Sequence, residues 1–112
     1  MKNSFDNLSP LDGRYSKHTF ELSNYFSEAA LIRVRFEIEI DWLLFVLTDK
    51  FFNTTKLSNA SKKKILQFKA SFSSKSVNEI KKIESKTNHD VKAVEYYIKK
   101  YLKKDSKLKK YI

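Results

Sequence analysis

Two short stretches hold the side chains best suited to chemistry. One is Leu8-Ser9-Pro10-Leu11-Asp12-Gly13-Arg14-Tyr15, where a guanidinium and a phenol stand side by side. The other is Thr87-Asn88-His89-Asp90, which sets an amide, an imidazole and a carboxylate in succession. Arg14 is a planar group with five donors, matched to phosphate or carboxylate. His89 carries a ring that changes charge near neutral pH, flanked by the donors and acceptors of Asn88 and Asp90. Together these groups suit the holding of a polar, anionic small molecule. Each has a plainer reading when taken alone. Asn-His-Asp ahead of a helix is also an end cap, and Arg-Tyr after a turn carries little weight by itself.

These residues need elements to position them. Pro10 and Gly13 are the only proline and glycine in the chain, so a tight turn is expected to deliver Arg14 and Tyr15. The second stretch opens an amphipathic helix. Val91, Val94, Ile98 and Leu102 recur at three- and four-residue spacing, Tyr101 widens the stripe, and Lys92, Glu95, Lys99 and Lys103 take the other side. Glu95 and Lys99 form a helix-supporting pair. Thr87 or Asn88 is expected to accept from the first free N–H groups, with Asp90 complementing the positive end of the dipole. Such a helix start favours anions.

The rest of the chain also reads as helices. Residues 1–15 form an arm ending in the turn, and 16–26 a short helix with Phe20, Leu22, Tyr25 and Phe26 available for burial and His18 on the surface. Ser27 caps a long segment, 28–48. Within it Val34 to Ile40 alternates as a strand would, but Ile32, Phe36, Ile40, Leu43 and Leu47 make a helical stripe, and Leu31, Val34, Ile38 and Phe45 make a second. Tight hairpins rely on glycine or its substitutes, and no Gly or Pro follows Gly13. The segment is therefore read as a central helix buried on two sides. Residues 50–59 are a polar connection with an apolar foot, Phe51-Phe52. A helix over 60–72 turns Ile65, Leu66, Phe68 and Phe72 inward and Lys62, Lys63 and Lys64 outward. Ser76-Val77-Asn78-Glu79 fits a capping box, opening a helix with Val77, Ile80 and Ile83 on one face. A charged tail, 103–110, closes the pattern, and Leu108, Tyr111 and Ile112 find no periodic partner there. The sum is an all-α fold: one domain, 1–112, built as a small bundle of about five helices.

Composition narrows the classes further. With 41% hydrophobic and 14% aromatic residues the chain reads as folded despite its 32% charged content. It has no cysteine, which removes disulfides and thiolate metal sites. His18 and His89 lie far apart, so no metal site and no cofactor is expected. Residues 42–47 are the longest apolar run, too short to span a bilayer, and the first fifteen residues lack the apolar core of a secretory signal. The expectation is a soluble, cytoplasmic protein. The net charge of +10 raises the question of an anionic partner. The lysines are dispersed, with denser clusters at 62–64 and 99–110, and read as solvated surface.

The two motifs taken together, SPLDGRY near the start and TNHDVKAVEYYIKKYL further on, closely resemble the bacterial adenylosuccinate lyases of the fumarase/aspartase superfamily. The resemblance extends through Asp41-Trp42-Leu43 and Ser71-Phe72-Ser73 and covers the whole chain. It implies the N-terminal domain of a cytoplasmic homotetrameric enzyme of purine biosynthesis. Such enzymes release fumarate by β-elimination from adenylosuccinate, giving AMP, and from the succinylo-carboxamide ribotide. Carried over residue by residue, Arg14 and Tyr15 contact the nucleotide, most plausibly its phosphate, while Asn88, His89 and Asp90 bind substrate, His89 with a candidate supporting role in positioning or protonation. The catalytic base, a loop serine, and the main acid, a histidine, belong to a central domain beyond this stretch, so the segment contains no principal catalytic residue and is expected to be inactive alone. The alternative is a small basic helical module binding nucleic acid or another anionic partner, with Tyr96, Tyr97 and Tyr101 set among lysines. A purely structural interaction domain is a third reading, its apolar faces exceeding what a small bundle hides.

Overall fold

The structure is a computed structural model that describes residues 4–52 and 57–103. All regular elements among them are helical, as the sequence leads one to expect. Two short α-helices, α1 (Ser16–Thr19) and α2 (Ser23–Phe26), flank a 3-10 turn at Phe20–Leu22. Four longer ones follow: α3 (Glu28–Thr48), α4 (Asn59–Ala70), α5 (Ser74–Thr87) and α6 (Asp90–Leu102). Further 3-10 turns lie at Ser4–Asp6 and Lys50–Phe52. The charged tail expected over 103–110, with Leu108, Tyr111 and Ile112, falls outside the described residues beyond Lys103. The chain divides into two compact units, Met1–Leu31 and Ile32–Ile112.

In the first unit the turn is built by hydrogen bonds rather than by glycine's left-handed freedom, since Gly13 has a negative φ. Its N–H donates to the Pro10 carbonyl, as does that of Tyr15 at 2.9 Å, and the Asp12 N–H donates to Ser9. The Thr19 hydroxyl then ties α1 back to the turn by donating to the Leu11 carbonyl at 2.8 Å. The helix expected over 16–26 is thus broken into three single turns. Its apolar residues do not bury: Phe20, Leu22, Tyr25 and Phe26 are all exposed. Ser27 accepts from the Ala30 N–H at 3.0 Å, the capping geometry expected for the start of α3.

In the second unit the core runs along one stripe of α3: Ile32, Phe36, Ile40, Leu43 and Leu47 are buried and join Ile65 of α4, Ile80 of α5, and Ala93, Val94, Tyr97, Ile98 and Leu102 of α6. Phe36 stands at the centre. Its ring lies 5.1 Å from Phe68, 4.8 Å from Phe72 and 5.9 Å from Tyr97. Full burial of such a side chain contributes roughly 1.5–3 kcal/mol, so this cluster fixes how α4 and α6 meet α3. An ion pair from Lys69 to Asp41, at 2.6 Å, adds a surface link between α3 and α4.

Several sequence expectations need correction here. The second stripe of α3 is not buried: Val34, Ile38 and Phe45 are 43%, 60% and 48% exposed, and Leu31 is exposed as well. The core residues of α4, α5 and α6 all gather on the first stripe, which leaves the opposite face of α3 open. Leu66 likewise faces outward, and on α6 the buried set shifts by part of a turn, taking Ala93 and Tyr97 while Val91 and Tyr101 remain exposed. Helix α5 starts before the expected capping box, at Ser74, where the Ser76 hydroxyl accepts from the Ser73 N–H.

Candidate functional site

Arg14 and Tyr15 belong to the first unit; Asn88, His89 and Asp90 belong to the second. At the turn, the Arg14 guanidinium lies 5.3 Å from the centroid of the Tyr15 ring, a cation–π stack that holds the cation beside the phenol. Both side chains are exposed. His18 is exposed too, in keeping with its reading as a surface residue.

The second group occupies the joint between α5 and α6. Helix α5 runs through Thr87, and Asn88 turns the chain with φ 53° and ψ 30°, the left-handed conformation common just past a helix end. Asn88 is the one described non-glycine residue with positive φ, a place where asparagine is better tolerated than most residues. His89 then takes extended backbone geometry, and its ring caps α6: Nδ1 accepts from the Lys92 N–H at 3.2 Å. The cap is therefore His89, not Thr87 or Asn88 as the sequence suggests. Because α5 extends through Thr87, Asn88 is spent on reversing the chain. Thr87 instead braces the joint through hydrogen bonds to the His89 backbone at 3.3 Å.

This geometry assigns the imidazole its chemistry. A ring nitrogen that accepts a hydrogen bond carries no proton, so the capping ring is the neutral tautomer with its proton on Nε2. The free end of His89 is then a donor, suited to an oxygen of a carboxylate or phosphate.

Asp90 Oδ1 accepts from the Val91 N–H at 2.9 Å, while Oδ2 meets Arg35 Nη1 of α3, also at 2.9 Å. The Val91 N–H first, and then the Arg35 guanidinium, hold this carboxyl below the usual carboxylate range, against some loss of hydration. One turn further along α3, the Glu39 carboxyl is pushed up by burial and by Glu95 and drawn back by Lys92. Lys92 itself pairs with Glu95 at 3.0 Å. Sequence reasoning missed Arg35 and Glu39. A signal was present, since each is a charge lying next to a core residue of α3, Phe36 or Ile40, but their partners on α6 lie far along the chain.

Among the described residues there is no cluster of histidine, cysteine, aspartate and glutamate that could hold a metal, and no helix long and apolar enough to cross a membrane. What the two motifs offer is donors: a guanidinium and a phenol in one, an amide and a neutral imidazole N–H in the other. The class this defines is an all-α chain whose candidate groups are hydrogen-bond donors of the kind that suit a small anion.

Comparison with known proteins narrows this class. No protein-family model matches the chain. The adenylosuccinate lyase of Legionella pneumophila (strain Corby) is 40% identical over 103 residues, 91% of this chain and 23% of the relative. That of Dictyostelium discoideum is 41% identical over 101 residues, 87% of this chain and 21% of the relative. That of Buchnera aphidicola subsp. Schizaphis graminum is 35% identical over 113 residues, 98% of this chain and 24% of the relative. The chain is thus similar along nearly its whole length to one part of the adenylosuccinate lyases, and it spans less than a quarter of the length of these curated relatives.

Proposed function

We propose that residues 1–112 serve as the N-terminal helical domain of an adenylosuccinate lyase and supply part of its nucleotide-binding surface. The observation that carries this reading is the similarity along nearly the whole chain to proteins named adenylosuccinate lyase. In the reaction, a base takes a proton from the carbon next to a carboxylate, the C–N bond breaks, and an acid protonates the departing nitrogen. Fumarate and AMP result from adenylosuccinate, and the succinylo-carboxamide ribotide is cleaved likewise.

Arg14 and Tyr15 hold the nucleotide phosphate. Asn88 and His89 donate to substrate oxygens, His89 through Nε2–H, and Asp90 orders the corner. The base and the main acid come from polypeptide outside this stretch, in a cytoplasmic homotetramer whose subunits complete one another's sites. A chain with only part of the binding surface holds nucleotide weakly and turns nothing over.

The test is a titration of the 112-residue chain with AMP, followed residue by residue by NMR to millimolar ligand, where free energies of about −4 kcal/mol are read. Binding that is lost on Arg14→Ala and on His89→Ala is the expected result. Absence of AMP binding, or fumarate release by the purified chain, would refute this reading. Salt-sensitive binding to unrelated duplexes in place of AMP would favour the basic nucleic-acid module instead.

A further inference from the structure

Most contacts that order the joint at 88–90 are local. Thr87 braces the His89 backbone, His89 caps its own helix, and Asp90 Oδ1 takes the N–H of the next residue. Each fixes the group relative to α5 or α6 only. The contact that reaches another helix is the pair between Asp90 Oδ2 and Arg35 Nη1 at 2.9 Å. We propose that Arg35 is a positioning residue for the nucleotide site, anchoring Asp90 to α3 and so fixing where His89 Nε2 and the Asn88 amide point. This role rests on the nucleotide reading above.

Two observations favour anchoring over an incidental surface pair. First, both oxygens of Asp90 are engaged, one by the Val91 N–H and one by Arg35, which leaves the carboxylate occupied with orientation. Second, Arg35 is the more sheltered partner, its side chain 29% exposed against 51% for Asp90, and it follows Val34 and precedes fully buried Phe36 on a rigid helix. Arginine suits the position because its planar fork keeps a defined direction where a lysine ammonium would swivel.

The site also has a sign to manage. Asp90 borders the place where an anionic ligand would sit, and an unpaired carboxylate there would repel it. Arg35 neutralises that charge. Loss of Arg35 should therefore act twice, by freeing the joint and by unmasking the carboxylate.

The experiment compares Arg35→Gln, Arg35→Lys and Lys69→Gln with the wild-type chain. Lys69→Gln breaks a different ion pair made by α3, that with Asp41, and controls for generic loss of a surface pair. Two quantities are read by NMR in each: AMP affinity, and titration of the Asp90 carboxyl. In Arg35→Gln, AMP binding is expected to weaken by up to about fivefold, the upper end for a partly exposed pair, with the Asp90 titration moving up toward the ordinary range. Arg35→Lys should restore the titration and part of the affinity, and Lys69→Gln should change neither. Wild-type affinity in Arg35→Gln, or equal weakening by Lys69→Gln, overturns the role of Arg35 and leaves the nucleotide reading intact. A wild-type chain that binds no AMP overturns that reading, and the role of Arg35 with it.

Discussion

Asn88 allows the backbone and the chemistry of the joint to be separated by substitution. Its backbone sits at φ 53° and ψ 30°, and its side chain is one of the proposed nucleotide contacts. A residue with a Cβ held in the left-handed region costs about 1–2 kcal/mol, a penalty that asparagine largely escapes and glycine does not meet. Asn88→Ala should therefore destabilise the second unit by about 1 kcal/mol, and Asn88→Gly by a few tenths at most. In a domain of roughly 60–100 residues, 1 kcal/mol is a drop of about 4–8 °C in melting temperature, well resolved by circular dichroism. AMP affinity should follow a different order, because both variants lack the amide. The expected pattern is a glycine variant that melts like wild type yet binds like the alanine variant. If Asn88→Gly melts as low as Asn88→Ala, the side chain and not the backbone holds the joint. If Asn88→Gly keeps full affinity, the amide has no part in binding.

Phe36→Ala should cost about 3–5 kcal/mol, since the ring is fully buried among three others. Set against a typical total of about 5–15 kcal/mol, that leaves the unit close to unfolding; Phe36→Leu should cost about 1–1.5 kcal/mol, both read by urea denaturation. Glu39→Gln should raise stability near neutral pH. Burial, then Glu95, raise the folded-state value of this carboxyl, so the folded chain holds its proton more tightly than the unfolded chain does. The resulting stability is present below the unfolded value and is lost as pH rises through the folded one. The Glu39→Gln and wild-type melting curves should thus separate near neutrality and converge in acid.

The long helix was legible end to end. Ser27 supplies a local cap and the aliphatic spacing a local period, and α3 runs over the expected 28–48. Which of its two stripes is covered was not legible, because that depends on where three other helices gather. The five candidate residues were visible as types, and the joint shows why their roles were harder to read. Whether Thr87, Asn88 or His89 caps α6 turns on where α5 stops, and neither glycine nor proline marks that point. The partnership of Arg35 with Asp90 depends on tertiary packing between α3 and α6, which spacing along one helix does not encode.

The open face of α3 also makes the chain its own optical probe. Its single tryptophan, Trp42, is half exposed on that face, with Phe45 and Phe52 at 5.8 Å. The indole sits outside the buried cluster, so its fluorescence reports the wet side of the helix rather than the core. Long-wavelength emission is the signature of the face as it stands, and a shift to the blue would register any surface that dries it. The folded chain thus carries an intrinsic sensor for whatever is laid against α3, with no label added.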